Sequence, residues 1–298
     1  MRFDWYQGTI EDTPHAVIEA VAKLGHEVRP ADAAARKWRY KQGFAVHHND
    51  RGIVAHVLCG GNGDKPHAYA TGDDAHAFAG LVRDYWPDRH LVTRVDAAQD
   101  FNEARAFDRL CPVARKVAKA HRLAFPRIED VLNEKAGRTQ YVGSPSSDYR
   151  ARIYEKGWEQ IGKLQALFRK QGFNIEADAI PTIRNEATGE EVRPEDWTRA
   201  ELQVRPKQEQ ARRLVATLSP EQCWGVTPWA LDLAREAMAL DLERVVMRTR
   251  KVSKDEEALR WMCQQYAGPM MRLKGELGDW ACMGLELGRL IEEQRNQP

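Results

Sequence analysis

The chain has 298 residues, of which 43% are hydrophobic and 30% are charged, and its formal net charge at pH 7 is +1. This composition is typical of a folded globular protein and excludes a disordered or collagen-like chain. No run reaches the roughly 18 apolar residues of a membrane span, and the first residues lack the apolar segment of a signal peptide. We therefore expect a cytoplasmic protein with no membrane partner.

Positive charge is concentrated in the middle of the chain. Residues 102–170 contain 15 Lys and Arg against 8 Asp and Glu, a net charge of +7 that leaves −6 for the remainder. A basic segment flanked by acidic ones suits an anionic partner, and nucleic acid is the first polyanion to consider. A solvated basic face would produce the same pattern without any function.

Strand and helix patterns alternate over the first two thirds of the chain. In order, we predict a strand over FDWYQGTI, a helix over 15–24, a hairpin turning at 49–52, a strand over 65–71, a helix over 74–85, a strand over 90–101, a helix to about 125 that Pro112 breaks or kinks, a hairpin turning at 143–147, a helix over 157–171, a polar loop over 177–194 and a strand over 198–205. Such an order indicates an α+β fold in which flanking helices support an antiparallel sheet.

The character of the sequence changes at Gln208, after which helical periodicity recurs and Ala, Leu, Met and Glu dominate. We predict an all-helical C-terminal domain over 208–298, following a first domain over 1–207. Trp224, Trp229, Trp261 and Trp280 fall in this region and are predicted core anchors.

The most informative segment is GRTQYVGSPSSDYRARIYEKGWE, residues 137–159. Its second half alternates, so that one strand face presents Arg150, Arg152, Tyr154 and Lys156. A tyrosine that attacks a phosphate needs such basic neighbours, because free tyrosine has a pKa of about 10 and is a poor nucleophile at neutral pH. A solvated sheet face explains the alternation equally well.

Two further strand segments place polar groups on one face. LVTRVDAAQDF presents Arg94, Asp96 and Asp100, and TRAELQVRPK presents Arg199, Glu201, Gln203 and Arg205. Asp96 and Glu201 are suitable oxygen ligands for Mg²⁺ or Mn²⁺, and such a cation would polarise a phosphate beside the basic row. The alternative is a set of cross-strand ion pairs between arginine and carboxylate.

These three segments resemble one known family, the replication initiation factors of rolling-circle plasmids and filamentous phages. The resemblance lies in TRVDAAQDF at 93–101, in residues 137–159, and in RAELQVRPK at 199–207, with FDW at 3–5 similar to the start of the phage proteins. It implies an enzyme that nicks and rejoins one DNA strand at a replication origin through a 5′-phosphotyrosyl intermediate, in which the domain over 1–207 is catalytic.

The resemblance also implies roles for individual residues. Tyr154 would be the nucleophile, and Arg152 and Lys156 would bind or neutralise the phosphate. Asp96 and Glu201 would bind the divalent cation, with Asp100 as a third ligand. The DNA-binding residues would be Arg94, Arg150, Arg205 and Tyr141, the last of which packs or stacks on a base.

Other interpretations remain open at this stage. The chain departs from the family in carrying Pro145 where a basic turn residue is common, and it has no triplet of two histidines around an apolar residue. A DNA-binding regulator that has lost nicking, and an α+β enzyme for a phosphorylated small molecule, are the two alternatives. Origin DNA, a second copy of the chain and a host helicase are the candidate partners.

Overall fold

The structure is a computed structural model that describes residues 1–61, 63–185, 188–247 and 254–295. Its described strands are β1 Arg2–Ile10, β2 Glu27–Pro30, β3 Gln42–His48, β4 Gly52–Cys59, β5 His67–Thr71, β6 His90–Asn102, β7 Arg127–Ile128, β8 Thr139–Val142, β9 Tyr149–Glu155, β10 Ile183–Arg184, β11 Glu191–Val192 and β12 Trp197–Val204.

The helices fall between and after these strands. They are α1 Pro14–Ala22, α2 Asp32–Lys37, α3 Asp74–Tyr85, α4 Ala106–Ala120, α5 Lys156–Lys170, α6 Glu209–Thr217, α7 Pro220–Cys223, α8 Pro228–Met238, α9 Lys254–Leu277 and α10 Trp280–Arg295. None of these described helices is long and apolar enough to cross a membrane.

Within the described ranges, ten strands form one antiparallel sheet in the order β2-β3-β4-β5-β1-β6-β12-β9-β8-β7. β10 and β11 pair separately, inside the segment predicted as a polar loop. The predicted α+β class, with a large antiparallel sheet followed by helices, is confirmed.

One face of the sheet forms the hydrophobic core. Alternate residues of the central strands, such as Val95, Ile153 and Leu202, are fully buried against helices. Those helices are α1, α3, α4, α6, α7 and α8, which contribute apolar side chains to the same core. Since successive side chains of a strand point to opposite faces, the intervening polar residues share the second face.

Two local predictions need correction. The predicted break at Pro112 is wrong, because α4 continues as one element through it and Leu110, Ala114 and neighbouring apolar residues anchor it to the core on both sides of the proline. Lys156 is the first residue of α5 rather than the last of β9. At the next position, Gly157, a Cβ atom would lie 2.2 Å from the carbonyl oxygen of Pro194, so only glycine allows the first turn of α5 to pack there.

The boundary predicted after Lys207 also differs from the structure. The described residues up to 247 form one compact unit, and those from 254 form a second. α6, α7 and α8 belong to the first unit because Val215, Trp224 and Leu233 are buried in the core under the sheet. The separate helical part is therefore only the α9 and α10 hairpin.

The tryptophans divide in the same way. Trp224 and Trp229 are core residues as predicted, whereas Trp261 is 62% exposed and Trp280 is 53% exposed. The prediction that the last two are core anchors is wrong within their own helical unit, because a hairpin of two helices has too little interior to bury them.

A matched pair of substitutions tests this division. We expect Trp224→Ala to lower the free energy of unfolding of the first unit by about 3–5 kcal/mol, because it removes a fully buried indole from the shared core. Trp280→Ala should change that transition by less than about 0.5 kcal/mol. Chemical denaturation monitored by circular dichroism measures both, and a negligible effect of Trp224→Ala would place α7 outside the sheet's core.

Candidate active site on the polar face of the sheet

The three motifs meet because β12 lies between β6 and β9. Arg199 faces Tyr154 across one strand pair, Glu201 faces Arg152, and Gln203 faces both Arg150 on one side and Asp96 on the other. Residues directly opposite each other in an antiparallel pair have their Cβ atoms about 4.5–5.5 Å apart and share a face. Segments separated by up to about one hundred residues of sequence therefore form one polar surface.

Tyr154 lies almost fully buried in this surface, with 7% exposure. Its hydroxyl donates a hydrogen bond to Glu201 Oε2 at 3.4 Å. The guanidinium carbon of Arg152 is 5.1 Å from the centroid of its ring, and Lys156 Nζ is 5.5 Å from the same centroid. The structure thus brings together the tyrosine and both basic residues predicted beside it.

The phenol of Tyr154 is protonated in this environment. Burial raises its pKa well above the usual value, and the charge of Glu201 raises it further, against the opposing effect of Arg199 and Arg152. A tyrosine in this state becomes a nucleophile only when a neighbouring group accepts its proton. Glu201 is the hydrogen-bonded carboxylate in position to do so.

The carboxyl group of Glu201 is buried close to another carboxyl group, and both conditions disfavour its charged form. Glu201 is 1% exposed, and burial raises the pKa of its carboxyl, as do the neighbouring charge of Asp96 and a hydrogen bond with it. Arg152 opposes this shift, since its Nη2 donates to Glu201 Oε1 at 2.6 Å. A carboxyl with a raised pKa is suited to exchange a proton near neutral pH.

Asp96 completes a buried carboxyl pair with Glu201. Arg94 binds it through two hydrogen bonds, from Nε to Oδ1 at 2.9 Å and from Nη2 to Oδ2. Two adjacent buried carboxylates repel each other, and a divalent cation would relieve that repulsion. Asp96 and Glu201 therefore fit Mg²⁺ or Mn²⁺, which are commonly bound by one or two carboxylates together with substrate phosphate and water.

Asp100 does not belong to this pair. It shares the face with Asp96, but four residues of strand separate the two by roughly 13 Å, which is too far for both to bind one ion. Both Asp100 oxygens instead accept hydrogen bonds from Arg199, at 2.6 and 2.8 Å. The prediction of Asp100 as a third ligand is therefore corrected, and no cluster of three or more metal-binding side chains occurs among the residues that the structure describes.

Sequence reasoning missed two contributors, Asp4 on β1 and Glu159 on α5. Asp4 accepts a hydrogen bond from Arg199 Nη1 at 2.6 Å and lies at a register shift between Phe3 and Trp5. Burial would raise its pKa, but the charges of Arg199 and Lys156 outweigh that effect and lower it. The similarity at FDW was the available signal for Asp4. For Glu159 the signal was its spacing of three residues from Lys156, which places both on one side of a helix, and the two form a 2.8 Å ion pair.

A cavity of about 120 Å³ opens beside the carboxyl pair. Its lining residues are Tyr141, Arg150, Ala151, Arg152, Glu201, Gln203 and Arg205. A second cavity of about 250 Å³ contains Tyr154 and shares Tyr141 and Arg152 with the first. Three of the four predicted DNA-binding residues thus line the first cavity, while Arg94 lies beyond it on β6.

The first cavity has the chemistry of an anion site. The Arg150 guanidinium carbon lies 3.7 Å from the centroid of the Tyr141 ring. The Nε atoms of Arg150 and Arg152 are buried and have no hydrogen-bond partner among the described residues. Arginines grouped in this way match the oxygens of a phosphate.

Comparison with known proteins gives a distant likeness in structure alone. No protein-family model matches the sequence, and a search of curated proteins found no significant match. Among solved structures, the chain is similar to a rolling circle replication initiator protein from Geobacillus stearothermophilus, with 23% sequence identity, a TM-score of 0.48, and coverage of 86% of this chain and 89% of that one. A likeness at this level does not by itself assign a function.

The raised pKa of Glu201 predicts how the stability of the folded protein depends on pH. Because the folded state raises the pKa of Glu201 above its ordinary value of 4.5, the folded protein binds this proton more tightly than the unfolded chain does. The stabilisation is complete below about pH 4.5 and is lost as the pH rises toward the raised pKa. Replacing Glu201 with Gln removes this pH-dependent loss, so we expect the variant to be more stable than wild type at pH 7.

Chemical denaturation at several pH values from about 5 to 8 measures the effect. The difference between Glu201→Gln and wild type should grow with pH by up to roughly 1.4 kcal/mol per unit. Glu191→Gln, at an exposed position on β11, is the control and should follow wild type. Parallel stability curves for wild type and Glu201→Gln would show that Glu201 is ionised throughout.

Proposed function

We propose that this protein is a rolling-circle replication initiator that nicks and rejoins one DNA strand through Tyr154. The observation that carries the proposal is the hydrogen bond from the buried Tyr154 hydroxyl to Glu201, beside Asp96 and at the junction of two cavities that share an arginine. The similarity of the three sequence segments to replication initiation factors supports the same assignment.

In the proposed reaction, Tyr154 Oη attacks the phosphorus of a phosphodiester while its proton passes to Glu201 Oε2. The bond from phosphorus to the 3′ oxygen breaks, and that oxygen takes a proton from the Lys156 ammonium and leaves as a free 3′-hydroxyl. The 5′ phosphate stays bound to the tyrosine. Since the new ester conserves the energy of the broken one, attack by a 3′-hydroxyl reverses the step and rejoins the strand.

Basic side chains would hold the phosphate during this exchange. Arg152 contacts both Glu201 and the Tyr154 ring, so it is placed to neutralise charge where the phosphate oxygens gather. Arg150 and Arg205 line the same cavity and would bind the neighbouring phosphates. Fixed positive groups of this kind stabilise charge that develops in the transition state.

A divalent cation, Mg²⁺ or Mn²⁺, would be held by Asp96 and by the Glu201 oxygen that does not face the Tyr154 hydroxyl, so that Oε2 stays available for the tyrosine proton. The cation would polarise the scissile phosphate and offset its negative charge. Arg94 orients Asp96 for this role through its two hydrogen bonds. Lys156 is also placed to help, since burial and the nearby Arg199 lower the pKa of its ammonium and make it a ready proton donor.

The substrate would be origin DNA in single-stranded or supercoiled form, in the cytoplasm. A second copy of the chain and a host helicase remain candidate partners for the same reaction. All the proposed catalytic residues fall within residues 1–207, while the fold that supports them extends through α8.

The second candidate is a DNA-binding regulator that retains this face without nicking. It is favoured by one observation: each of the three predicted metal ligands is already paired with an arginine, Asp96 with Arg94, Asp100 with Arg199 and Glu201 with Arg152. Such pairs could serve structure alone, as the ion-pair interpretation of the sequence held. The two candidates differ in whether a covalent adduct forms.

Replacing the nucleophile is the direct test. Wild type, incubated with a supercoiled or single-stranded circle carrying the DNA that neighbours its gene, should form an adduct that survives a denaturing gel. Tyr154→Phe should abolish it, because the variant loses the attacking oxygen but keeps the ring. Folding should be preserved, since the lost hydrogen bond is long, at 3.4 Å.

Tyr149→Phe, on the same strand but packed against the core, is the matched control and should retain the adduct. An adduct that persists in Tyr154→Phe would move the nucleophile to Tyr141 or Tyr149. A wild-type protein that binds the DNA in a salt-sensitive manner yet never forms an adduct would favour the regulator.

Metal removal gives an independent prediction. A chelator should abolish the adduct, and added Mg²⁺ or Mn²⁺ should restore it. Asp96→Asn should stay inactive even with the metal, with a rate at least about 10²-fold below wild type, because it removes one of the two carboxylates. Asp108→Asn, at a surface carboxylate of α4, should respond to metal as wild type does. Undiminished adduct formation in the chelator would exclude a role for the cation.

A further inference from the structure

Four planar side chains stack in a row across four neighbouring strands. The guanidinium carbon of Arg94 on β6 lies 4.0 Å from the centroid of the Trp5 ring on β1. Trp5 stacks on Tyr69 of β5 with 5.9 Å between centroids and 6° between planes, and Tyr69 stacks on His56 of β4 at 4.7 Å and 9°. We call Arg94, Trp5, Tyr69 and His56 the stacked row.

The stacked row lies on the same face of the sheet as Tyr154. Trp5 is paired directly with Asp96, and Asp96 with Gln203, which lies four residues along β12 from the partner of Tyr154. Three strand spacings and four residues separate Trp5 from Tyr154, a distance of roughly 20 Å. A DNA strand leaving the proposed cleavage site across the sheet would reach the row within a few nucleotides.

The row is fixed in place before any ligand arrives. Trp5 Nε1 donates to Gln7 Oε1 at 2.9 Å, which sets the orientation of the indole. Trp38, from the segment after α2, packs against Tyr69. Arg94 is held in its own plane by Asp96, so that Trp5 covers one face of the guanidinium. The opposite face of Arg94 is the end of the row on the side of β12.

The surroundings of that end suit a nucleotide. Arg94 and Arg150 are each close enough to Arg205 for their positive charges to act on it, and Asp96 and Asp148 oppose that effect. Arg205 and Arg150 line the first cavity together with Glu201. Arg205 donates to the neutral amide of Gln203 on its own face. An anion between Arg94 and Arg205 would relieve the repulsion, and a nucleotide supplies both the anion and a planar group.

We propose that the stacked row is a binding subsite for unpaired DNA, in which a base stacks on the Arg94 guanidinium supported by Trp5 while its phosphate meets Arg205. This inference rests on the proposed function, because it extends the path of the same DNA strand away from Tyr154. Stacking on a guanidinium or aromatic plane accepts any base, so the subsite provides grip and direction without reading sequence.

Binding of bases can be separated from binding of phosphates by comparing two ligands. One is an oligothymidylate of about 16 nucleotides, and the other is a strand of equal length and charge made of abasic units. Affinities of the full-length protein for both are measured by fluorescence anisotropy without divalent metal. Wild type should bind the thymidylate about tenfold more tightly than the abasic strand.

Arg94→Lys is the decisive variant because it keeps the positive charge and removes the planar surface. It should lose most of the preference for thymidylate while its affinity for the abasic strand changes by less than about twofold. Trp5→Ala should do the same by removing the support. Arg29→Lys, at an exposed position on the edge strand β2, is the matched control and should keep the full preference.

Other outcomes overturn the inference in distinguishable ways. An unchanged preference in Arg94→Lys and Trp5→Ala would mean that the row only stabilises the sheet, and the proposed nicking function would stand. Equal affinity of wild type for both strands would likewise exclude base stacking. Absence of salt-dependent binding to either strand would remove the subsite and the proposed function together.

Discussion

The buried pair of carboxyl groups, Asp96 and Glu201, is the constraint on which the polar face depends. Two acids placed side by side under a sheet's surface are costly unless protonated or matched by positive charge. Arg94 pairs with Asp96, and Arg152 pairs with Glu201. Arg94 lies on β6 and Arg152 on β9. The arginines of this face are therefore placed where they balance the charge of the two carboxyl groups.

The arrangement explains why the resting site and a working site would differ. With Glu201 hydrogen-bonded to Tyr154 and paired with Arg152, the charges inside the face largely cancel. In the proposed reaction, a DNA phosphate would compete with Glu201 for Arg152. The carboxyl pair would then need another positive charge to replace that of Arg152. A divalent cation is the natural source, so the binding of metal and of DNA should support each other. Sites in which like charges are held close together serve function at a cost in the stability of the fold.

Much of this surface could be predicted from sequence because alternation in a strand reports the face of each side chain. The alternation of side chains within each strand was enough to predict that Tyr154, Glu201 and Asp96 lie on the polar face. Alternation does not show how far apart two side chains lie along a strand, however, and that is why Asp100 was wrongly predicted to bind the same cation as Asp96. It reports nothing about register irregularities either, so Asp4, which lies at a register shift of β1, escaped notice.

The domain boundary failed for a different physical reason. Periodicity identified the helices after Gln208, but it cannot tell whether an apolar helix face covers a partner helix or a distant sheet. Here Val215 and Trp224 cover the sheet, and only α9 and α10 form a separate unit. Exposure of Trp261 could not be anticipated, since burial depends on how many elements are available to surround a side chain.

The order of strands finally accounts for the dispersal of the site along the chain. β12, the last of the described strands in chain order, lies between β6 and β9 and joins them into one sheet. β9, which carries Tyr154, and β6, which carries Asp96, are joined through β12, and Glu201 on β12 contacts both Tyr154 and Asp96. The carboxyl pair therefore requires β12 to be paired with β6, which ties the site to the completed sheet.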